Sequence, residues 1–313
     1  MFRTPLIAAL LLLAAAPAWA GGAVLVMNSS AASLSIVDID SQAETGRIPV
    51  LREPHHWALT PDQRDLLVGD TVGNELLALD PTTFALKRRI PVADPYQLGF
   101  SPDGKFLVVT GLARAQVDVY DTAYHLVKRF PLKSMPSHLD YSPDSKMVFI
   151  TLQGTDQLAA INLQTMTVAW DVPVGKAPAG LIWQNGRILV ANMGSDDVAV
   201  VDPRDGRVIE RLKIGKGTHQ IFRAPDGKTL WVNSRIDSTS TVIDATSLKV
   251  IRTYKLPGGP DDLIFAPDGH VWYTLRFANK VAVLDPASGT FTTIAVGRSP
   301  HGIYLNPKAV AAK

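Results

Sequence analysis

The chain has 313 residues, with 31 Lys and Arg against 29 Asp and Glu, a net charge of +2, and no cysteine. The lack of cysteine rules out a disulfide framework, cysteine-ligated zinc, a covalently attached c-type haem and a lipid anchor on sulfur. The longest basic run, Lys87-Arg88-Arg89, is short and isolated, so charge gives no argument for a nucleic-acid or membrane-surface partner.

Residues 1–20 read as a secretory leader. Arg3 gives a basic start, Leu6 to Ala16 form an apolar run, and Ala18-Trp19-Ala20 makes a small-residue cleavage signal. The apolar run is short of the about 20 residues a spanning helix needs. The expectation is cleavage near Ala20–Gly21 and a periplasmic or secreted, monomeric product with no membrane anchor.

From residue 21 onward the chain repeats. The first segment, GAVLVMN, is followed by Pro-Asp turns at Thr60-Pro61-Asp62, Ser101-Pro102-Asp103, Ser142-Pro143-Asp144, Ala224-Pro225-Asp226 and Ala266-Pro267-Asp268. Trp183-Gln184-Asn185-Gly186 stands in for the missing copy. After each turn an alternating apolar segment ends on Asp or Asn, at Asp38, Asp80, Asp121, Asn162, Asp202, Asp244 and Asp285, spaced 40 to 42 residues apart. Seven repeats therefore account for almost the whole chain after residue 20 and leave no room for a second domain.

Each repeat contains four short strands, shown by PYQLGFS, KFLVVTG, QVDVYD and LVKRFPL, bounded by Pro, Gly, Asp or Asn. Proline fixes φ and Gly tolerates positive φ in the first turn. Four-stranded units at this period predict an all-β, seven-bladed β-propeller spanning residues 21–313. The opening segment matches a second strand, and the closing PHGIYLNP matches a first strand. The last segment should thus complete the blade that the first begins, removing two free sheet edges.

The repeat resembles that of exported YVTN-type seven-bladed propellers, through Pro300-His301-Gly302-Ile303, Ser101-Pro102-Asp103-Gly104-Lys105, Val198-Ala199-Val200-Val201-Asp202 and Ile48-Pro49-Val50. The resemblance places the chain near YncE-like proteins and the haem-carrying propeller of nitrite reductases. It implies the fold. The activities in that superfamily range over surface-layer proteins, binding proteins, amine dehydrogenase subunits and lactonases, so function must be argued from the site.

In a propeller the start of each first strand faces the central channel. These slots hold His55-His56, Tyr96-Gln97, Ser137-His138, Ala179-Gly180, His219-Gln220, Asp261-Asp262 and His301-Gly302, including five of the seven histidines. The loops after the second strands should open on the same face, bringing Arg114, Arg235 and Arg276 together with Asn28, Asp70, Asp156, Asn192, Asp196, Asp197 and Asp237. The candidate mouth is therefore His55, His56, Tyr96, His138, His219, Asp261, Asp262, His301, Arg114, Arg235 and Arg276. If a metal binds, His55, His219, Asp261 and His301 are the candidate ligands.

Neighbours on a regular strand point to opposite faces, so His55 and His56 should diverge. Each histidine also has a structural reading, as a blade-to-blade hydrogen bond. No G-x-S-x-G nucleophile elbow or phosphate loop is present, and no motif requires a cofactor. The sequence points first to a non-enzymatic binding or scaffold propeller taking a small ligand or protein on its top face. The alternative is a cofactor-handling or hydrolytic propeller, with non-covalent haem, a metal or lactonase-type chemistry. A subunit role in a periplasmic redox complex is the third reading.

Overall fold

Short alternating segments cannot bury both faces alone. In the computed structural model, which describes residues 21–309, they assemble into seven four-stranded antiparallel sheets. The predicted leader lies outside the described residues. Among the described residues no helix is long and apolar enough to cross a membrane.

Blade 1 is the composite one. The strand Pro300–Asn306 pairs with Ala23–Asn28, setting Val26 opposite Ile303 and Leu25 opposite Tyr304. Blades 2 to 7 follow in chain order, and their first strands start at Pro54, Gln97, Pro136, Pro178, Thr218 and Pro260. In each blade the inner three strands are largely buried. The fourth, such as Leu86–Pro91, is mostly exposed.

The turns work as their chemistry predicts. Ser101 Oγ donates to Asp103 Oδ1 at 2.7 Å, and Gly104 takes φ +72°. Blades with no glycine there force Gln63 (φ 58°) and Ser145 (φ 60°) into the same left-handed region. The residue ending each third strand caps its turn, as where Asp80 Oδ1 accepts from the N–H groups of Thr82 and Thr83 at 2.9 Å.

The apolar core lies between neighbouring blades. Leu25, Leu34, Leu66, Leu77 and Phe84 pack with Tyr304 where blade 1 meets blade 2. At that seam Trp57 Nε1 donates to the Ile303 carbonyl at 2.8 Å and its ring meets Tyr304 edge-on at 4.8 Å.

A second device locks the blades near the axis. In blade 4, Thr151 Oγ1 accepts from His138 N at 3.0 Å and donates to the Ala179 carbonyl of blade 5 at 2.8 Å. Thr110 and Thr274 do the same, reaching the carbonyls of Ser137 and His301 at 2.7 Å. Asn233 Nδ2 donates to the Asp261 carbonyl at 2.9 Å. The first strands of blades 1, 4, 5 and 7 are thus held at a fixed depth, and with them the side chains that face the channel.

Candidate ligand-binding site at the channel mouth

The channel-facing stretches are not regular strands. In blade 2, Pro54 pairs with Asp70 and Trp57 with Val68, so three steps on one strand span two on the other. The same shift occurs after Pro136, Pro178 and Pro260. Such a bulge re-aims side chains. Here it corrects the expected divergence of His55 and His56. Both rings are buried, 4.8 Å apart and edge-on, and both join the axial cluster.

That cluster draws on six blades. His55 lies 3.7 Å from His301 and 4.1 Å from Tyr96, between ring centroids. His56 lies 4.5 Å from His301 and 5.1 Å from His138. His138 and His219 approach to 5.4 Å across the slot of blade 5, where Ala179 and Gly180 contribute no bulk. The small slot is required. A Cβ on Gly180 would fall 1.6 Å from Gln220 Oε1 and 2.7 Å from its Cα. Gly180→Ala should therefore cost about 1–3 kcal/mol by overpacking, measured by urea denaturation. An unchanged midpoint would show that Gln220 moves freely.

Asp261 is the electrostatic centre. It is fully buried, accepts from Arg235 Nε on Oδ1, and takes Arg276 Nη1 on Oδ2 at 3.2 Å. His219 Nδ1 lies 3.0 Å from Oδ1, without the alignment a hydrogen bond needs. Burial pushes the Asp261 carboxyl up, but Arg235, His219 and Arg276 together outweigh it and hold the group well below the usual carboxylate range. Asp262 is pushed the opposite way, by burial and then by the Asp261 charge. The two adjacent carboxyls are thus driven in opposite directions.

The imidazoles are neutral. Burial dominates for all five, lowering His56 to about 3 and His219 to about 4, with His55, His138 and His301 also well below the ordinary range. Burial raises the Tyr96 hydroxyl as well. Six ring nitrogens of these five histidines are buried without a hydrogen-bond partner among the described residues: His55 Nδ1, His56 Nε2, His138 Nε2, His219 Nδ1 and both of His301. Buried polar atoms in native proteins are normally paired. These six lie together on one axis.

The other candidates separate from this group. Arg114 donates to Asn74 Oδ1 at 3.1 Å and makes no contact with the histidines. Most acids of the top loops are spent on backbone. Asp70 accepts from the N–H groups of Arg52 and Glu53, Asp156 from Ala177, Asp196 from Gly217 and Asp237 from Lys216. Asp197 pairs with Arg211, and Asn28 and Asn192 bond neighbouring side chains. His125 and His270 sit in turns beside Asp121 and Asp268. Two groups outside the candidate mouth named above complete the site. Ser137 Oγ lies 2.6 Å from His138 Nδ1, and Met193 Sδ lies 3.9 Å from Arg235 Nη1. Above Arg235 and Arg276 the rim is apolar, with Ile236 68% and Phe277 64% exposed.

The family model of YNCE-like beta-propellers matches residues 5–310. The chain belongs to the YNCE-like β-propeller family. Among curated relatives, Protein NirF of Pseudomonas aeruginosa is 27% identical over 143 residues, 44% of this chain and 36% of that protein. The match thus spans about a third of its relative's length. Two solved structures share the fold. The periplasmic gluconolactonase PpgL of Pseudomonas aeruginosa aligns with a TM-score of 0.73 at 19% identity, over 91% of this chain and 99% of that one. The dihydro-heme d1 dehydrogenase NirN, in complex with DHE, aligns with a TM-score of 0.65 at 17% identity, over 91% and 75%. At such identities these two likenesses show the architecture of the YNCE-like chain and leave its chemistry to its own residues.

Proposed function

We propose that this YNCE-like chain is an exported ligand-binding propeller, and that its ligand is taken at the top-face mouth by the axial histidine–aspartate cluster. The observation that carries this reading is the set of six buried, unpaired ring nitrogens on five neutral imidazoles. Neutral imidazole offers a lone pair to a metal or a hydrogen bond to a polar ligand. The part-exposed guanidiniums of Arg235 and Arg276 suit carboxylates. Phe277 and Ile236 offer apolar surface beside them.

A carboxylate-bearing metal tetrapyrrole matches this donor set, and the name of NirN, a dihydro-heme d1 dehydrogenase, favours that class. In this chain the imidazoles would hold the metal and Arg235 and Arg276 the carboxylates. Such a group supplies redox or electron-transfer chemistry when bound.

Titrating the purified chain with haem as the probe, followed by absorption spectroscopy, should show one-to-one binding. Arg276→Ala should weaken it by about tenfold or more, the loss of one charge-assisted contact. No spectral change at micromolar haem would remove the tetrapyrrole, and with it this choice of ligand class. N-terminal sequencing of the exported protein should begin at Gly21.

A second reading, lactonase-type hydrolysis, is favoured by one observation. Asp261 and Asp262 are adjacent carboxyls shifted in opposite directions beside imidazoles, the arrangement general acid–base chemistry uses. Turnover of an aldonolactone that vanishes in Asp262→Asn would support it over simple capture.

A further inference from the structure

We propose that His55, His56 and His301 form a three-imidazole site for a divalent transition-metal ion, with Asp262 as its orienting carboxylate. The inference rests on the reading that the axial cluster is the ligand-contacting centre, and it names a ligand for that centre that needs no organic partner.

Two groups in the cluster bring three donor atoms within 4.8 Å of one another: His55, His56 and His301, and His219, Asp261 and His301. The second is already committed. Both Asp261 oxygens carry an arginine, Arg235 on Oδ1 and Arg276 on Oδ2. Drawing that carboxylate onto a cation would strip partners from a buried charge, a change that destabilises strongly.

The first group gives up nothing. His55 Nδ1, His56 Nε2 and both nitrogens of His301 are buried and unpaired. The three rings arise from two adjacent blades, His301 from blade 1 and both others from the bulge of blade 2. The bulge is what makes the set possible, since a regular strand would turn one of the pair away. Gly302 lets the two strands close up, with the His55 carbonyl 2.4 Å from where a Cβ would stand.

Outside the three rings sits one carboxyl group placed for both. Asp262 Oδ2 is 3.8 Å from His56 Nδ1 and 3.8 Å from His301 Nδ1. A carboxylate behind a metal-bound imidazole fixes the ring and strengthens it as a ligand. With their Nδ1 atoms turned to Asp262, His56 and His301 keep Nε2 for the metal. Three neutral nitrogens with no free carboxylate suit zinc, copper, nickel or cobalt and disfavour calcium and magnesium. A fourth position is left for water or for part of a larger ligand.

Co2+ alone, added to the metal-stripped full chain, tests the site by its visible d–d bands and by calorimetry. One equivalent should bind with bands of tetrahedral intensity. His55→Gln and His56→Gln should each weaken binding by more than about 100-fold, and Asp262→Asn by about 10- to 100-fold. His125→Ala, at a turn histidine outside the cluster, should leave it within about threefold. Circular dichroism identifies any variant that fails to fold, and the remaining one of the His55 and His56 pair then decides. Absence of one-equivalent Co2+ binding by the parent chain overturns the proposal. So does loss of binding in His219→Ala with retention in His55→Gln. Haem binding without Co2+ binding would refute this inference and leave the binding function standing. Co2+ binding without haem binding would do the reverse to the tetrapyrrole.

Discussion

Replacing Asp261 by Asn is expected to lower stability by about 3 kcal/mol, a fall in melting temperature on the order of 5–10 °C. The reason is what remains behind. Arg235 and Arg276 keep their positions above the channel with side chains only 16% and 22% exposed, and lose the one charge they share. Water reaching the part-exposed guanidiniums reduces the loss below that of a fully sealed pair. The control is the neighbouring residue. Burial and the Asp261 charge both favour the neutral form of Asp262, and an amide has nearly the shape of a neutral acid, so Asp262→Asn should shift stability by less than about 1 kcal/mol. Calorimetric melts of the two variants at neutral pH check both values. Equal losses would mean that the two carboxyls do not differ in charge.

The second large effect is acid lability. The five axial histidines have folded-state pKa values below the ordinary 6.5, lowered chiefly by burial, to about 3 for His56 and about 4 for His219. Their unfolded forms take up protons first. Their contribution to stability is therefore complete above about pH 6.5 and is withdrawn as pH falls toward the folded values. Asp262 works in the opposite sense. Its folded value is raised, so it favours the folded state more as the solution becomes acid. Against five protons taken up by the unfolded chain, Asp262 can offset at most one, leaving about four. At about 1.4 kcal/mol per proton per pH unit, stability should fall by up to about 5 kcal/mol for each unit below pH 6. Entry of water into the cluster lowers that figure. The melting temperature should still drop by more than about 10 °C between pH 7 and pH 5. A flat profile over that range would show that the rings are solvated and charged in the folded protein.

The architecture was legible because it is written locally and written seven times. Pro-Asp-Gly turns, strand-ending Asp residues and a steady period each report a backbone constraint within a few residues. The composite blade could be read because its two pieces match different parts of the same repeat. The concentration of histidines in the slots was visible for the same reason. Other features depend on what the ring brings together. The joint inward aim of His55 and His56 comes from a register shift, which the alternation pattern does not encode. The contact of His138 with His219 arises because the channel is narrow enough for slots two blades apart to meet. Arg114 lies two residues further along its loop than Arg235 and Arg276, whose position in that blade is taken by Leu112, and its blade presents Tyr96 and Gln97, with no carboxylate to draw a guanidinium inward. The threonines and asparagine that latch the blades, Thr110, Thr151, Asn233 and Thr274, form an aligned column near the ends of second strands. That column was the available signal for them.

The pairing of Ala23–Asn28 with Pro300–Asn306 also governs time. The two partners stand at opposite ends of the described chain, so no ladder between them forms until nearly every residue has been delivered. Pairings of such long sequence separation are slow, because closure entropy is spent before contact energy returns. If the chain is exported, as proposed above, this would keep the ring from shutting prematurely on the near side. Once shut, no blade can leave without breaking the seam or tearing from both neighbours. The lifetime of the folded protein is then governed by the rate of that first rupture, more than by the depth of its free-energy minimum.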